Sequence, residues 1–222
     1  MTFIPTLDGQ SKQRPRIPRV LDATEIRLLG SLMEKQLSTP EYYPLTLNAL
    51  VAAANQKSNR DPVMELSDTE VQRGLDRLQD EKLVWKVMGG RAVRFDHNLD
   101  AVWHLSRREK AVLTLLFLRG PQTAGEIRGR SDRLHQFATV AETEETLREM
   151  AAHSEPLVRQ LPRRPGQKEE RWSHTVGGAA VEVEEAAAAP AAEPLSVRVS
   201  TLEARVSTLE ESLAMLKAKL GE

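Results

Sequence analysis

Residues 42–64 read Tyr-Tyr-Pro-Leu-Thr-Leu-Asn-Ala-Leu-Val-Ala-Ala-Ala-Asn-Gln-Lys-Ser-Asn-Arg-Asp-Pro-Val-Met, and Ser67-Asp68-Thr69-Glu70 follow at once. Pro44 is expected to open a short helix, with Leu47, Leu50 and Val51 on one face. The helix should stop in the polar connector Asn55–Asp61, where Asn, Ser and Asp compete for backbone hydrogen bonds. Ser67 then reads as the cap of a further helix, with Glu70 at the third position completing a capping box. Val71, Leu75 and Leu78 form the apolar face of that helix.

Two strand-like runs come next. Leu83-Val-Trp-Lys-Val-Met and Arg91-Ala-Val-Arg-Phe flank Gly89-Gly90, a hairpin signal. Upstream, Asp22 and Glu25 form another capping pair ahead of Ile26, Leu29, Leu32, Met33 and Leu37, and this helix should end near Ser38-Thr39-Pro40. Three helices followed by a hairpin is the winged-helix order, assigned to residues 21–98.

Residues 99–176 repeat the plan. Ser106 with Glu109, and Thr123 with Glu126, mark two helix starts, and Gly120-Pro121 separates them. Residues 130–139 read as irregular, with Leu134 and Phe137 turned inward. A third helix should span Glu142–Ala152. A second hairpin should pair Leu157–Leu161 with Glu170–His174 around a basic loop, Arg163–Lys168. The two halves share an element order, not a readable sequence repeat.

The flanks differ in character. Residues 1–20 place Lys12, Arg14, Arg16 and Arg19 among prolines, which prevent a regular helix. That tail is either a solvated leader or a basic arm that touches nucleic acid. Residues 177–194 are an Ala/Glu/Pro linker. Within 195–222, the positions Leu195, Val199, Leu202, Val206, Leu209, Leu213, Leu216 and Leu220 alternate steps of four and three. Leu at every d position with Val or Leu at a favours a parallel two-stranded coiled coil. Arg198 and Arg205 would then face Glu203 and Glu210 of a second copy. The other reading is an amphipathic helix folded back on its own chain. The expected fold class is mainly α with small β-hairpin wings: two tandem winged-helix domains and a C-terminal coiled-coil helix.

Composition limits the function. The 222 residues carry a net charge of -1, which argues against binding nucleic acid by bulk charge. There is no cysteine, hence no thiolate metal site and no thiol nucleophile. No run is long and apolar enough to span a membrane and no signal peptide is readable, so a cytoplasmic protein is expected. His97, His104, His135, His153 and His174 show no metal-ligand spacing, and neither a phosphate-cradling loop nor a nucleophile elbow occurs. No enzyme, metal or cofactor is therefore expected. His97 and His174 read as packing or surface residues. Trp85, Trp103 and Trp172 read as packed between hairpin and helices, and Tyr42 and Tyr43 as an exposed pair.

DNA binding is favoured by the fold class, but the third helices are acidic. Glu142, Glu144, Glu145 and Glu149 stand against Arg148 alone in the second half, and carboxylates repel phosphate. The candidate DNA contacts are therefore Asn55, Gln56, Lys57, Asn59 and Arg60 in the connector, Lys86, Arg91 and Arg94 on the first hairpin, and Arg163, Arg164 and Lys168 on the second. Asn55–Asp61 has an equal structural reading, as a hydrogen-bonded turn holding the helices. Val199, Leu202, Val206, Leu209, Leu213 and Leu216 are the expected homodimer contacts. The alternative function is a protein-interaction scaffold that uses the acidic surfaces and makes no DNA contact.

Residues 40–50, 55–63, 118–128 (Leu-Arg-Gly-Pro-Gln-Thr-Ala-Gly-Glu-Ile-Arg) and 161–174 (Leu-Pro-Arg-Arg-Pro-Gly-Gln-Lys-Glu-Glu-Arg-Trp-Ser-His) resemble the YceH-like family of uncharacterised bacterial proteins. The resemblance covers about residues 20–176. It implies a tandem winged-helix fold with no established biochemical role, and leaves the heptad segment to be argued from this sequence alone.

Overall fold

Reciprocal caps start four of the helices. The computed structural model describes residues 19–89, 92–163 and 169–177. The tail up to residue 18, Arg91, Arg164, Lys168, the linker and the heptad segment lie outside the described residues.

Helix α1 (Ala23–Ser38) begins where the Asp22 carboxylate accepts from the Glu25 N–H at 2.8 Å and the Glu25 carboxylate accepts from the Asp22 N–H at 2.9 Å. Two otherwise orphaned donors are satisfied at once. After a 3₁₀ turn, Pro40–Tyr42, the chain forms the two-residue strand β1 (Leu45–Thr46) and then α2 (Leu47–Ala54). Pro44 does not open α2. The Tyr43–Pro44 bond is cis, Leu45 and Thr46 are extended, and Thr46 caps the helix by accepting from the Ala49 N–H. Helix α3 (Asp68–Asp80) starts at the Ser67–Glu70 box.

Strands β2 (Val84–Gly89) and β3 (Ala92–His97) form an antiparallel hairpin, and β1 pairs with the outer side of β3 to give the order β1-β3-β2. Gly89, read from the sequence as part of the turn, is a strand residue opposite Ala92. A short helix α4 (Leu99–Trp103) then joins the halves.

Helices α5 (Arg107–Arg119) and α6 (Ala124–Arg130) carry the Ser106–Glu109 and Thr123–Glu126 boxes. Between them Gly120 has φ 68° and ψ -155°, a backbone region reserved for glycine. Leu134 and Phe137 are buried, as expected. Helix α7 (Val140–Ala151) starts two residues earlier than expected, because Thr139 accepts from the Glu142 N–H. Strands β4 (Val158–Leu161) and β5 (Arg171–His174) form the second hairpin. Gln122, just before α6, exchanges both backbone hydrogen bonds with Trp172 on β5, at 3.0 and 2.8 Å.

Helix α5 is buried on nearly every side, from Lys110 to Leu118, as befits a central helix. It packs on α1, α6, α7 and β5. One hydrophobic cluster runs from Leu28, Leu32 and Met33 of α1 through Trp103 to Leu113, Leu116 and Leu147. The Leu21 N–H donates to Val176 O at 2.9 Å, so the entry to α1 meets the end of the second half. All described residues belong to one compact unit, within Met1–Gly178.

Candidate nucleic-acid interface

Strand alternation sorts the first hairpin into two faces. Pairs run from Val84 opposite His97 to Gly89 opposite Ala92. One face carries Val84, Lys86 and Met88 with Val93, Phe95 and His97. Its base is buried: Val84, Phe95 and His97 touch the core. Its tip is not, since Met88 is 82% and Val93 41% exposed, and the two are direct cross-strand partners. The opposite face carries Trp85 and Val87 with Arg94 and Asp96. Trp85 is 47% exposed there, unlike the buried Trp103 and Trp172, and so departs from the packed role expected of it.

Both described cations of the first hairpin have local partners. Lys86 Nζ lies 3.8 Å from Asp76 Oδ1 on α3, an exposed and loose pair. Arg94 Nη1 donates to Pro44 O at 2.7 Å. Asp96 accepts from the Tyr43 hydroxyl at 2.6 Å, and the His97 N–H donates to the same hydroxyl oxygen at 2.9 Å. Burial, and then Asp96, raise the Tyr43 pKa well above the usual phenol range. Tyr42 alone is exposed, so the expected exposed pair reduces to one residue.

The connector is held from three sides. Asn55 Nδ2 donates to Leu66 O and Oδ1 accepts from the Leu66 N–H, each at 2.8 Å. Arg60 Nη2 donates to Glu34 Oε2 at 2.6 Å, Ala53 O at 2.8 Å and Gln56 Oε1 at 2.9 Å. Beside it Arg27 Nη2 donates to Pro62 O at 2.6 Å. Burial, and then the charge of Arg60, bring the Arg27 pKa down to about 10. The Asp61 N–H donates to Leu118 O at 2.8 Å, and Asn59, at φ 60°, accepts from Arg119 Nη2 at 2.6 Å.

Asn55, Gln56 and Arg60 therefore hold the turn. The Arg60 side chain is 0% exposed, and a guanidinium with no surface cannot reach a phosphate. We remove it from the DNA contacts read from the sequence. Lys57, Ser58 and Asn59 form the exposed tip. Ser58 and Asn59 of this tip line a groove of about 570 Å³ together with Lys35, Arg130 and Arg133 and the carboxylates Glu34 and Asp132. Sequence reading passed over Arg130 and Arg133, because neither the end of a short helix nor the turn after it carries a binding signature.

In the second hairpin, Arg163 Nε lies 3.4 Å from Glu170, and Gln160 also hydrogen-bonds Glu170. Arg171 Nη1 donates to Pro121 O at 2.7 Å and pairs with Glu126 at 3.1 Å. On α7, Arg148 pairs with Glu144 at 2.6 Å, and Glu145 and Glu149 are exposed. The predicted contacts thus form three local groups: the connector on α1 and α5, the first hairpin on α3 and Pro44, and the second hairpin on α6.

The buried histidines have packing roles. His97 Nε2 meets Gln36 Oε1 at 2.9 Å while Nδ1 accepts from the Leu99 N–H at 3.3 Å, which assigns the proton to Nε2. Lys110 Nζ donates to the same Gln36 oxygen at 2.7 Å and pairs with Asp100 at 2.5 Å. Burial lowers the His97 pKa to about 4, and burial followed by Arg159 does the same for His174. Among the described residues no group of three or more His, Asp or Glu side chains could hold a metal ion, and no helix is long and apolar enough to cross a membrane.

Residues 21–167 match the family described as "Protein of unknown function, DUF480". A "UPF0502 protein" of Geobacter metallireducens is 51% identical over 181 residues, which cover 81% of this chain and 83% of the relative. A "UPF0502 protein" of Opitutus terrae is 49% identical over 178 residues, covering 79% of this chain and 76% of the relative.

Proposed function

The chain belongs to the DUF480 family, the same family as the YceH-like proteins it resembles, and from that premise we propose that it is a non-enzymatic, tandem winged-helix protein that binds duplex DNA. One observation carries the reading. In the first half, a short extended segment just before the second helix pairs with the second strand of the hairpin, β1 with β3. In the second half Gln122 stands just before α6 and pairs with β5 in the same way. A helix, a residue or two paired to the hairpin, two further helices and the hairpin itself recur in both halves, which supports the winged-helix reading.

Contact with DNA is made by the connector tip and the hairpins: Lys57, Asn59, Lys86 and Arg94, with Arg163 from the second hairpin. Arg91, Arg164 and Lys168 join them on the strength of the sequence. The acidic α7 turns away from phosphate. The heptad positions Val199, Leu202, Val206, Leu209, Leu213 and Leu216 pair two copies in parallel, so that two such bodies bind one duplex. Leu202→Lys with Leu209→Lys should then halve the mass seen in sedimentation.

A second reading rests on α7, where Glu145 and Glu149 are exposed and Glu144, with Glu169 and Glu170, lines a groove of about 510 Å³. That surface suits a basic protein partner. The test is retention of a random-sequence duplex pool over a salt series, followed by sequencing. Salt-sensitive retention supports DNA binding, and an enriched motif makes it specific. No retention at low salt replaces it with the scaffold reading.

A further inference from the structure

The groove shared by the connector and the end of α6 is lined by amides whose oxygens are already engaged. Arg60 Nη2 donates to Gln56 Oε1 at 2.9 Å, and Arg119 Nη2 donates to Asn59 Oδ1 at 2.6 Å. A guanidinium has only donors, so the facing atom of each amide must be its oxygen. Gln56 and Asn59 both line the groove, and what they have left to offer is N–H. Neither amide nitrogen has a partner among the described residues.

Cations come to the same groove from two elements. Lys35 belongs to the last turn of α1, Arg130 and Arg133 to the end of α6 and the turn after it. Arg133 has neither an ion pair nor a hydrogen bond among the described residues, and Arg130 reaches Glu126 only at 3.5 Å. Of the lining carboxylates, Glu34 is held by Arg60 at 2.6 and 3.1 Å, which leaves Asp132 as the unpaired one. Beside Asn59, Arg119 has a buried Nε without an acceptor. Burial, and then the charge of Arg130, hold its pKa below the usual value. Positive charge therefore exceeds negative here. Leu115, Leu118 and Leu134, all buried, supply the apolar part of the lining.

Donors and cations in this number outstrip the two oxygens of a single carboxylate. A phosphoryl group offers three acceptor oxygens and about two negative charges. The volume of about 570 Å³ is that of a small-molecule site. We infer that the groove binds a small phosphate-bearing molecule, whose phosphoryl oxygens accept from Lys35, Gln56 and Asn59 and from Arg130 and Arg133, while its carbon skeleton lies on the leucines. The occupant ties the end of α1 and the connector to the end of α6. This site does not depend on the DNA-binding reading, with which it shares only Asn59.

The experiment titrates the full chain with inorganic pyrophosphate and with adenosine diphosphate at constant ionic strength, chloride making up the balance. Both should bind in calorimetry and compete with each other, and the side-chain amide resonances of Gln56 and Asn59 should move. Arg133→Ala should weaken binding about tenfold, the loss of a charge-assisted contact. Because Arg133 is exposed and unpartnered, the thermal midpoint without ligand should not change. Asp132→Asn should tighten binding roughly threefold by removing a like charge. No heat with either compound, or an affinity unchanged by Arg133→Ala, overturns the site. Pyrophosphate binding without adenosine diphosphate binding overturns the place given to the leucines. If neither compound binds while Arg133→Ala lowers the salt slope of duplex retention, the groove belongs to DNA; this inference then falls and the DNA-binding reading stands.

Discussion

Gly30 on α1 lies so close to Phe117 on α5 that a Cβ at position 30 would stand 2.9 Å from the Phe117 Cβ and 2.9 Å from Leu118 Cδ2. The Phe117 Cβ is fixed to its backbone and cannot swing away, so α1 and α5 must separate to admit a methyl group. Gly30→Ala should destabilise the fold by about 2 kcal/mol even after the roughly 1 kcal/mol that alanine contributes to helix propensity. Gly74 offers the control. Its added Cβ meets Leu28 Cδ1 at 2.8 Å, the far end of a flexible side chain. Gly74→Ala should stay within about 1 kcal/mol of wild type. Urea unfolding of both variants measures the contrast, and a neutral Gly30→Ala would refute the close approach of the two helices.

The Arg60–Glu34 pair predicts separable effects on stability and binding. Arg60 fastens the connector to α1 by Glu34 and to the end of α2 by Ala53 O. Arg60→Ala leaves a largely covered Glu34 carboxylate unpaired and should cost about 3 kcal/mol. Arg60→Lys should recover only part, since an ammonium cannot reproduce the forked contacts. Because the side chain has no exposed surface, the salt slope of DNA binding, measured well below the unfolding transition, should not change. A slope reduced by about one would return Arg60 to the interface.

How much of this was legible depended on the range of the interactions. Asp22–Glu25, Ser67–Glu70, Ser106–Glu109 and Thr123–Glu126 were readable because each cap joins residues three apart. The hairpins were readable from short alternating runs. Strand β1 was not, because two residues have no periodicity and Leu45-Thr46 becomes a strand only when Phe95 and Arg94 arrive beside it. Arg60 sits in a run of polar residues and reads as exposed; its burial depends on Glu34, 26 positions away. Trp85 failed in the opposite sense, since alternation alone does not say which face of a hairpin the body covers. Glu25 read as a cap only, yet it also binds Arg19 at 2.7 Å and Arg77 at 2.8 Å, joining the chain entry to α3.

Acid should unfold the protein in two stages. His97 and His174 are held near pKa 4 from an ordinary 6.5, so between these limits the unfolded chain binds protons that the folded one does not. Their contribution is intact above pH 6.5 and is lost as pH falls toward 4, at up to about 1.4 kcal/mol per pH unit for each ring. Glu25 follows. Burial would raise its pKa, but Arg19, the Asp22 N–H and Arg77 hold it at about 2 against 4.5. Its stabilisation is present above pH 4.5 and disappears as pH falls through 2. Urea unfolding at a series of pH values should show the upper stage, and His97→Gln should reduce its slope by about half. An unchanged slope would show that His97 titrates alike in both states.

The charge assignment for DNA can be counted. Each cation that neutralises a phosphate contributes roughly one to the slope of log K against log salt. Lys57 is an exposed tip residue, Lys86 has only a loose pair at 3.8 Å, and Arg163 is 60% exposed beside Glu170. All three are free to exchange these weak contacts for phosphate at little cost. Lys57→Ala, Lys86→Ala and Arg163→Ala should each lower the slope by about one and leave the urea midpoint unchanged. Glu145→Lys on α7 should alter neither affinity nor slope if that helix faces away from the duplex. A gain in affinity from Glu145→Lys, with no loss from the hairpin variants, would move the interface from the hairpins to the acidic helix.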